Sequence, residues 1–134
     1  MMKIPQKQWD HLLQQDSDTF VDTIIEFLDL ESPELVEDIP RDSLREMVAN
    51  GVIRARGHGY HTDEDLMAFV AVMFEIAPNF DEHPEIRKAL RDETVPMEER
   101  FDSIFDRVRH QAWDEAELSY DPDAWFPELR GRSH

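Results

Sequence analysis

The chain has 134 residues, 31 of them acidic and 14 basic, for a formal net charge of −17. That length suits one domain with a real core, and a 40% hydrophobic share is too apolar for a wholly disordered chain. The acid excess argues against nucleic acid and anionic lipid surfaces as partners, since both demand a basic face, and the lack of cysteine removes disulfides, thiolate metal sites and thiol nucleophiles.

Helical spacing dominates, and no stretch alternates with the period of a strand. A first helix is predicted to open at Pro5 and to carry Trp9, Leu12 and Leu13 on one side. Asp16-Ser17-Asp18 are cap-type residues and mark either a break or a kink. A second helix over roughly 18–31 is expected to bury Phe20, Ile24, Phe27 and Leu28, with Val21 and Ile25 alongside, and Ser32-Pro33 ends it. Glu34 to Ile39 has room for one short turn. Asp42 or Ser43 then caps a third helix with Leu44, Met47, Val48, Val52 and Ala55 as its inward stripe. Asn50-Gly51 inside that helix costs about 1 kcal/mol against alanine. Gly57-His58-Gly59-Tyr60 reads as its C-terminal cap and turn, since glycine accepts a positive φ.

Thr62-Asp63-Glu64-Asp65 resembles a capping box whose acids suit the positive end of a helix dipole. The next nine residues, Leu66 to Phe74, are apolar all round, and a water-exposed fold holds such a helix only by surrounding it. We take this stretch, about 63–77, as the central helix. A short helix from Pro84 to about Arg91 follows, using Ile86, Ala89 and Leu90. One last long helix from Pro96 is expected to bury Phe101, Ile104, Phe105, Val108 and Ala112, with Trp113 beside them. The fold class is therefore all-α: a compact bundle or orthogonal array of five to six helices around the central apolar one. The domain is expected over 1–118, with an acidic-aromatic C-terminal tail over 119–134. No apolar core is present in Met1 to Gln8, so no secretory signal is expected, and the apolar run is about half of what a membrane span needs. Cytoplasm is the expected location.

Between Gln8 and Pro40 lie ten acids and no Lys or Arg. Asp18, Asp22, Glu26 and Asp29 follow steps of four, four and three, which places them on one helical face. This face is either a solvated exterior or a surface complementary to a basic protein partner. Tyr120, Trp125 and Phe126 in the tail raise a similar choice: they fold back over an open edge, or they anchor a partner as aromatic hot spots do. These seven residues are the candidate partner-binding set. The arginines further along have acidic neighbours, and ordinary surface pairing accounts for most of them.

Catalytic chemistry finds no pattern. His58 and His61 stand on a glycine-rich turn rather than one helical face, so a metal-dependent enzyme built on them is a remote alternative. Asp16-Ser17-Asp18 and Asp121-Pro122-Asp123 start like calcium loops and fail at the next ligand and at the glycine. The serines lack a nucleophile-elbow context. No catalytic, cofactor-binding or metal-binding residue is assigned.

The stretch Gly51-Val52-Ile53-Arg54-Ala55-Arg56-Gly57-His58-Gly59-Tyr60, then Thr62 to Asp65, then Phe69 to Asp81 with Pro84, Ile86, Leu90 and Arg100, carries a resemblance. Over roughly residues 17 to 113 the chain resembles small helical accessory proteins of bacterial type VI secretion effector loci, encoded beside effector adaptor (chaperone) genes. The shared pattern is an apolar helix ending in Met-Phe, followed by Phe-Asp and Pro; the acidic tail lies outside it. The resemblance implies a non-enzymatic co-adaptor that binds a type VI effector or its adaptor, with no active site. The alternative is an acidic immunity protein that covers a basic toxin.

Overall fold

The computed structural model describes the backbone of residues 6–131 and the side chains of residues 19–129. Among the described residues the fold is all-helical, without strands. Eight α-helices follow in order: α1 (Gln6–Glu31), α2 (Pro33–Val36), α3 (Arg41–Gly57), α4 (Asp63–Glu75), α5 (Pro84–Leu90), α6 (Met97–Arg107), α7 (His110–Leu118) and α8 (Pro127–Gly131). Short 3-10 helices occupy Phe80–Glu82 and Pro122–Trp125. The chain divides into two units, 1–49 and 50–134, with the boundary inside α3.

The first unit holds α1, α2 and the start of α3. α1 runs unbroken through Asp16-Ser17-Asp18, where a break or kink is expected. Cap-type residues inside a helix cost only tenths of a kcal/mol, and no Pro or Gly interrupts 6–31. Trp9, Leu12 and Leu13 lie outside the described side chains. Val21, Ile24, Ile25 and Leu28 are buried, an i, i+3, i+4, i+7 set. The buried stripe is thus rotated from the expected one: Phe27 is 37% exposed and Phe20 only half-buried. Only one stripe of a helix faces inward, and the β-branched pair Val21 and Ile25 occupies it. Val36 of α2 and Leu44, Met47 and Val48 of α3 are also buried.

In the second unit, α3 ends in a Schellman turn. Tyr60 N donates to the Ala55 carbonyl and Gly59 N to that of Arg56, at 3.3 and 2.9 Å. Gly59 supplies the positive φ, +96°, that the turn requires. Tyr60, expected in the turn, is fully buried: its hydroxyl donates to the Leu90 carbonyl at 2.7 Å, and its ring meets Phe101 edge-on. Thr62 caps α4, its hydroxyl accepting from Asp65 N at 3.2 Å. Every residue from Leu66 to Phe74 is buried or half-buried. Phe69 lies among the rings of Phe80 (4.9 Å), Phe101 (6.0 Å) and His58 (5.7 Å).

The single helix expected from Pro96 is two, α6 and α7, parted at Val108-Arg109 where both residues turn extended. The cause is Glu85 of α5. Its carboxylate accepts from the Arg109 backbone N–H at 2.7 Å and from Arg109 Nε at 2.8 Å, serving the N–H that a continuous helix would bond internally. Phe101, Ile104, Val108 and Ala112 are buried as expected, whereas Phe105 is 51% exposed. The tail also departs from expectation, for residues 122–125 and 127–131 are helical turns rather than a structureless extension.

Gly51 explains its own cost. A β-carbon there lies 3.0 Å from Met73 Sδ and 3.1 Å from Val70 Cγ2, so any larger residue at this point of α3 must push these α4 side chains aside by a few tenths of an ångström. Gly51→Ala gains about 1 kcal/mol of helix propensity but overpacks this contact, and a net destabilisation of about 1–2 kcal/mol in urea unfolding is expected. Tyr60→Phe strands the Leu90 carbonyl in a buried site and is expected to cost about 1–3 kcal/mol in the same measurement.

Candidate functional site

The described titratable groups converge most closely around Asp81, which is 3% exposed. It stands on the 3-10 helix Phe80–Glu82, which follows the end of α4. Arg54 Nε reaches both Asp81 oxygens at 2.9 and 2.8 Å, and an Arg54 terminal nitrogen bridges to Asp81 and to Glu82 Oε2, at 2.8 and 2.7 Å. His58, whose side chain is 6% exposed, contacts Asp81 Oδ2 through Nε2 at 2.7 Å. Arg91 Nε donates to His58 Nδ1 at 3.0 Å.

Arg91 has only protons to give, so Nδ1 is the bare nitrogen and Nε2–H donates to Asp81. On these contacts the His58 proton sits on Nε2, and both ring nitrogens are engaged within the chain. His61, the other histidine of this turn, is exposed. Among the described residues, no group of three or more His, Asp or Glu side chains is arranged to hold a metal ion. Burial pushes the Asp81 carboxyl up, but the hydrogen bonds from His58 and Arg54, with the Arg54 charge, bring it below its ordinary range. Burial likewise disfavours the Arg54 cation, and Asp81 and Glu82 reverse this. The cluster is a closed hub that pins α3, its terminal turn, the 3-10 helix and the end of α5. Arg54 is thus no ordinary surface pair, as its spacing suggested; its partner lies 27 residues away.

The candidate partner-binding residues fall in the two separate units. Asp18 lies outside the described side chains. Asp22, Glu26 and Asp29 share a face of α1, yet the stripe is not uncompensated: Arg45 pairs with Asp22, and Arg41 with Asp29 at 3.0 Å. Steps forward along α3 meet steps back along α1, the signature of antiparallel neighbours. Glu26 is exposed. In the second unit, Trp125 is 4% exposed and offers no anchor to a partner. Its indole lies tilted against Phe74 at 4.5 Å and donates from Nε1 to the Tyr120 hydroxyl at 2.9 Å, while its carbonyl accepts from Asn50. Trp125 thus folds back onto the unit, whereas Tyr120 remains exposed and Phe126 half-buried.

Two further features escaped the sequence reading. A concavity of about 470 Å³ is lined by Thr62, Asp63, Glu64, Asp65, Glu98 and Asp102. Burial lifts the Asp65 carboxyl above its ordinary range; the Thr62 hydrogen bond opposes this, and Asp102 and Glu64 add to it. The second is an aromatic ladder. Phe105 lies flat on Trp113 (5.5 Å, 10°), and Trp113 in turn stacks on buried Phe80 (6.2 Å, 24°). Comparison with protein-family models, curated proteins and solved structures returns no match to this chain.

Because its folded pKa is depressed, Asp81 contributes stability that is complete above the unfolded carboxylate range and is lost as pH falls through the folded value. Urea unfolding from pH 6 down to pH 2 is expected to show Asp81→Asn less stable near neutrality and flatter toward acid. A nitrogen-15 spectrum of the histidine rings is expected to show a proton on His58 Nε2 hydrogen-bonded to Asp81; a bare Nε2 would contradict this arrangement.

Proposed function

We propose that this chain is a non-catalytic, cytoplasmic docking protein for a basic protein partner. Following its resemblance to type VI accessory proteins, that partner is an effector or its adaptor, and the role is that of a co-adaptor. One observation carries the reading: acids far outnumber bases, and most of the described arginines already face partners within the chain. Arg41, Arg45, Arg54, Arg107 and Arg109 are committed to Asp29, Asp22, Asp81 with Glu82, Asp92 and Glu85, while Arg91 serves His58 and Arg100 the Val95 carbonyl. With 31 acids against 14 bases, the charge left to act outward is negative. Such a field speeds encounter with a basic surface and rejects nucleic acid. Among the described residues, no helix is long and apolar enough to cross a membrane.

A co-adaptor is expected to co-purify with effector and adaptor, and its deletion to lower killing of competitors while self-protection persists. Rescue of cells that express the toxin alone would instead identify an immunity protein, and turnover of a substrate by the purified chain would overthrow docking as its function. Glu26→Lys reverses an exposed charge and is expected to slow association with the basic partner several-fold at low salt, with the difference vanishing at high salt. Stopped-flow mixing checks this.

A further inference from the structure

Phe105 is the anomaly of α6. Helical spacing puts it beside the buried Phe101 and Ile104, yet half of it meets water. It is held there rather than loose, because Trp113 lies parallel beneath it, Phe101 meets it edge-on at 5.7 Å, and Trp113 rests on the buried Phe80. The ledge therefore presents an aromatic face whose rotamers are already fixed, so little side-chain entropy remains to be lost on binding.

The charges around the ledge choose its occupant. Asp102 lies one turn before Phe105 on α6, and Asp106 follows it directly; Glu117 lies one turn after Trp113 on α7. Asp102 also joins the ledge to the acidic concavity that includes Asp63, Glu64, Asp65 and Glu98. The two cations nearest in sequence are withdrawn, Arg107 to Asp92 and Arg109 to Glu85. An apolar partner alone would leave these carboxylates unsatisfied at the rim, and a second copy of this chain would bring like charge. A guanidinium fits both demands: its flat face stacks on an aromatic ring while its edge donates to carboxylates.

We infer that the Phe105–Trp113 ledge with its Asp102, Asp106 and Glu117 rim is a docking surface for an arginine-bearing, amphipathic segment of a partner protein. This rests on the docking function proposed above and names where, and by what chemistry, one contact is made. Arginine is favoured over lysine, because a guanidinium can lay its plane on the ring while its edge donates to carboxylates, which an ammonium cannot.

The test uses the full chain, labelled with nitrogen-15, and two synthetic probes: a peptide of alternating arginine and leucine, and its lysine counterpart. At low salt the arginine peptide is expected to shift the Trp113 indole N–H saturably and to bind roughly three- to tenfold more tightly than the lysine peptide. Phe105→Ala is expected to weaken it by a similar factor with the helical circular dichroism unchanged. Should that variant lose its fold, the doubly neutralised Asp102→Asn, Asp106→Asn chain carries the same expectation through charge alone. Binding that leaves the Trp113 indole unmoved, or equal affinity for the two peptides, overturns the ledge while leaving acidic docking standing. Failure of both peptides to bind at low salt overturns both.

Discussion

Taking the Asp81 carboxylate out of water is the act on which the second unit depends. An ionised carboxylate in so enclosed a place is tolerable only when cations and N–H donors surround it, and its partners come from the end of α3 and the turn that follows. Arg91 extends the same chain of donors to the C-terminus of α5. Four segments, distant in sequence, are thereby fixed to one oxygen pair. Removing Arg54 leaves the buried Asp81 charge with only a histidine N–H to answer it, a penalty of about 3–5 kcal/mol in comparable sites. This is why a histidine–aspartate contact that resembles catalytic machinery in outline is better understood as architecture: its outer nitrogen is already spoken for.

The same economy of cations shapes the exterior. Arginine is suited to forked contacts with carboxylates, and this chain spends the residue on itself, along α1 and α3 in one unit and around α5, α6 and α7 in the other. Exposed pairs of this kind each contribute only about 0.2–1 kcal/mol to stability. The field outside is set by the surplus of acids, 31 against 14 bases, which this pairing leaves unchanged. Electrostatics of this sort governs who is encountered and how fast, and leaves the holding to apolar contact.

What the sequence revealed was whatever depended on local spacing. The inward stripe of α3 was legible in full, since Leu44, Met47, Val48, Val52 and Ala55 all lie buried. So were the Thr62 cap, the short helix from Pro84 and the positive φ in the turn after α3, each governed by a few adjacent residues. What stayed hidden depended on partners far along the chain. The break between α6 and α7 is made by Glu85, 24 residues before the N–H it receives. The burial of Tyr60 answers to a carbonyl 30 residues on, and that of Trp125 to Phe74 and Tyr120. Periodicity put Phe105 in the core because it counts residues and knows nothing of a neighbouring helix that stops short of covering it. The acidic face of α1 was found correctly as a face, but the two arginines that answer it lie on another helix.

The close passage at Gly51 reaches beyond this one chain. With Met73 Sδ and Val70 Cγ2 standing 3.0 and 3.1 Å from where a side chain would begin, positions 51, 70 and 73 pack against one another. A methyl at 51 keeps the helix spacing where Val70 and Met73 yield by a few tenths of an ångström. Substitutions at the three sites are therefore expected to couple, as neighbours in contact do, and their joint history in diverging lineages would trace this crossing.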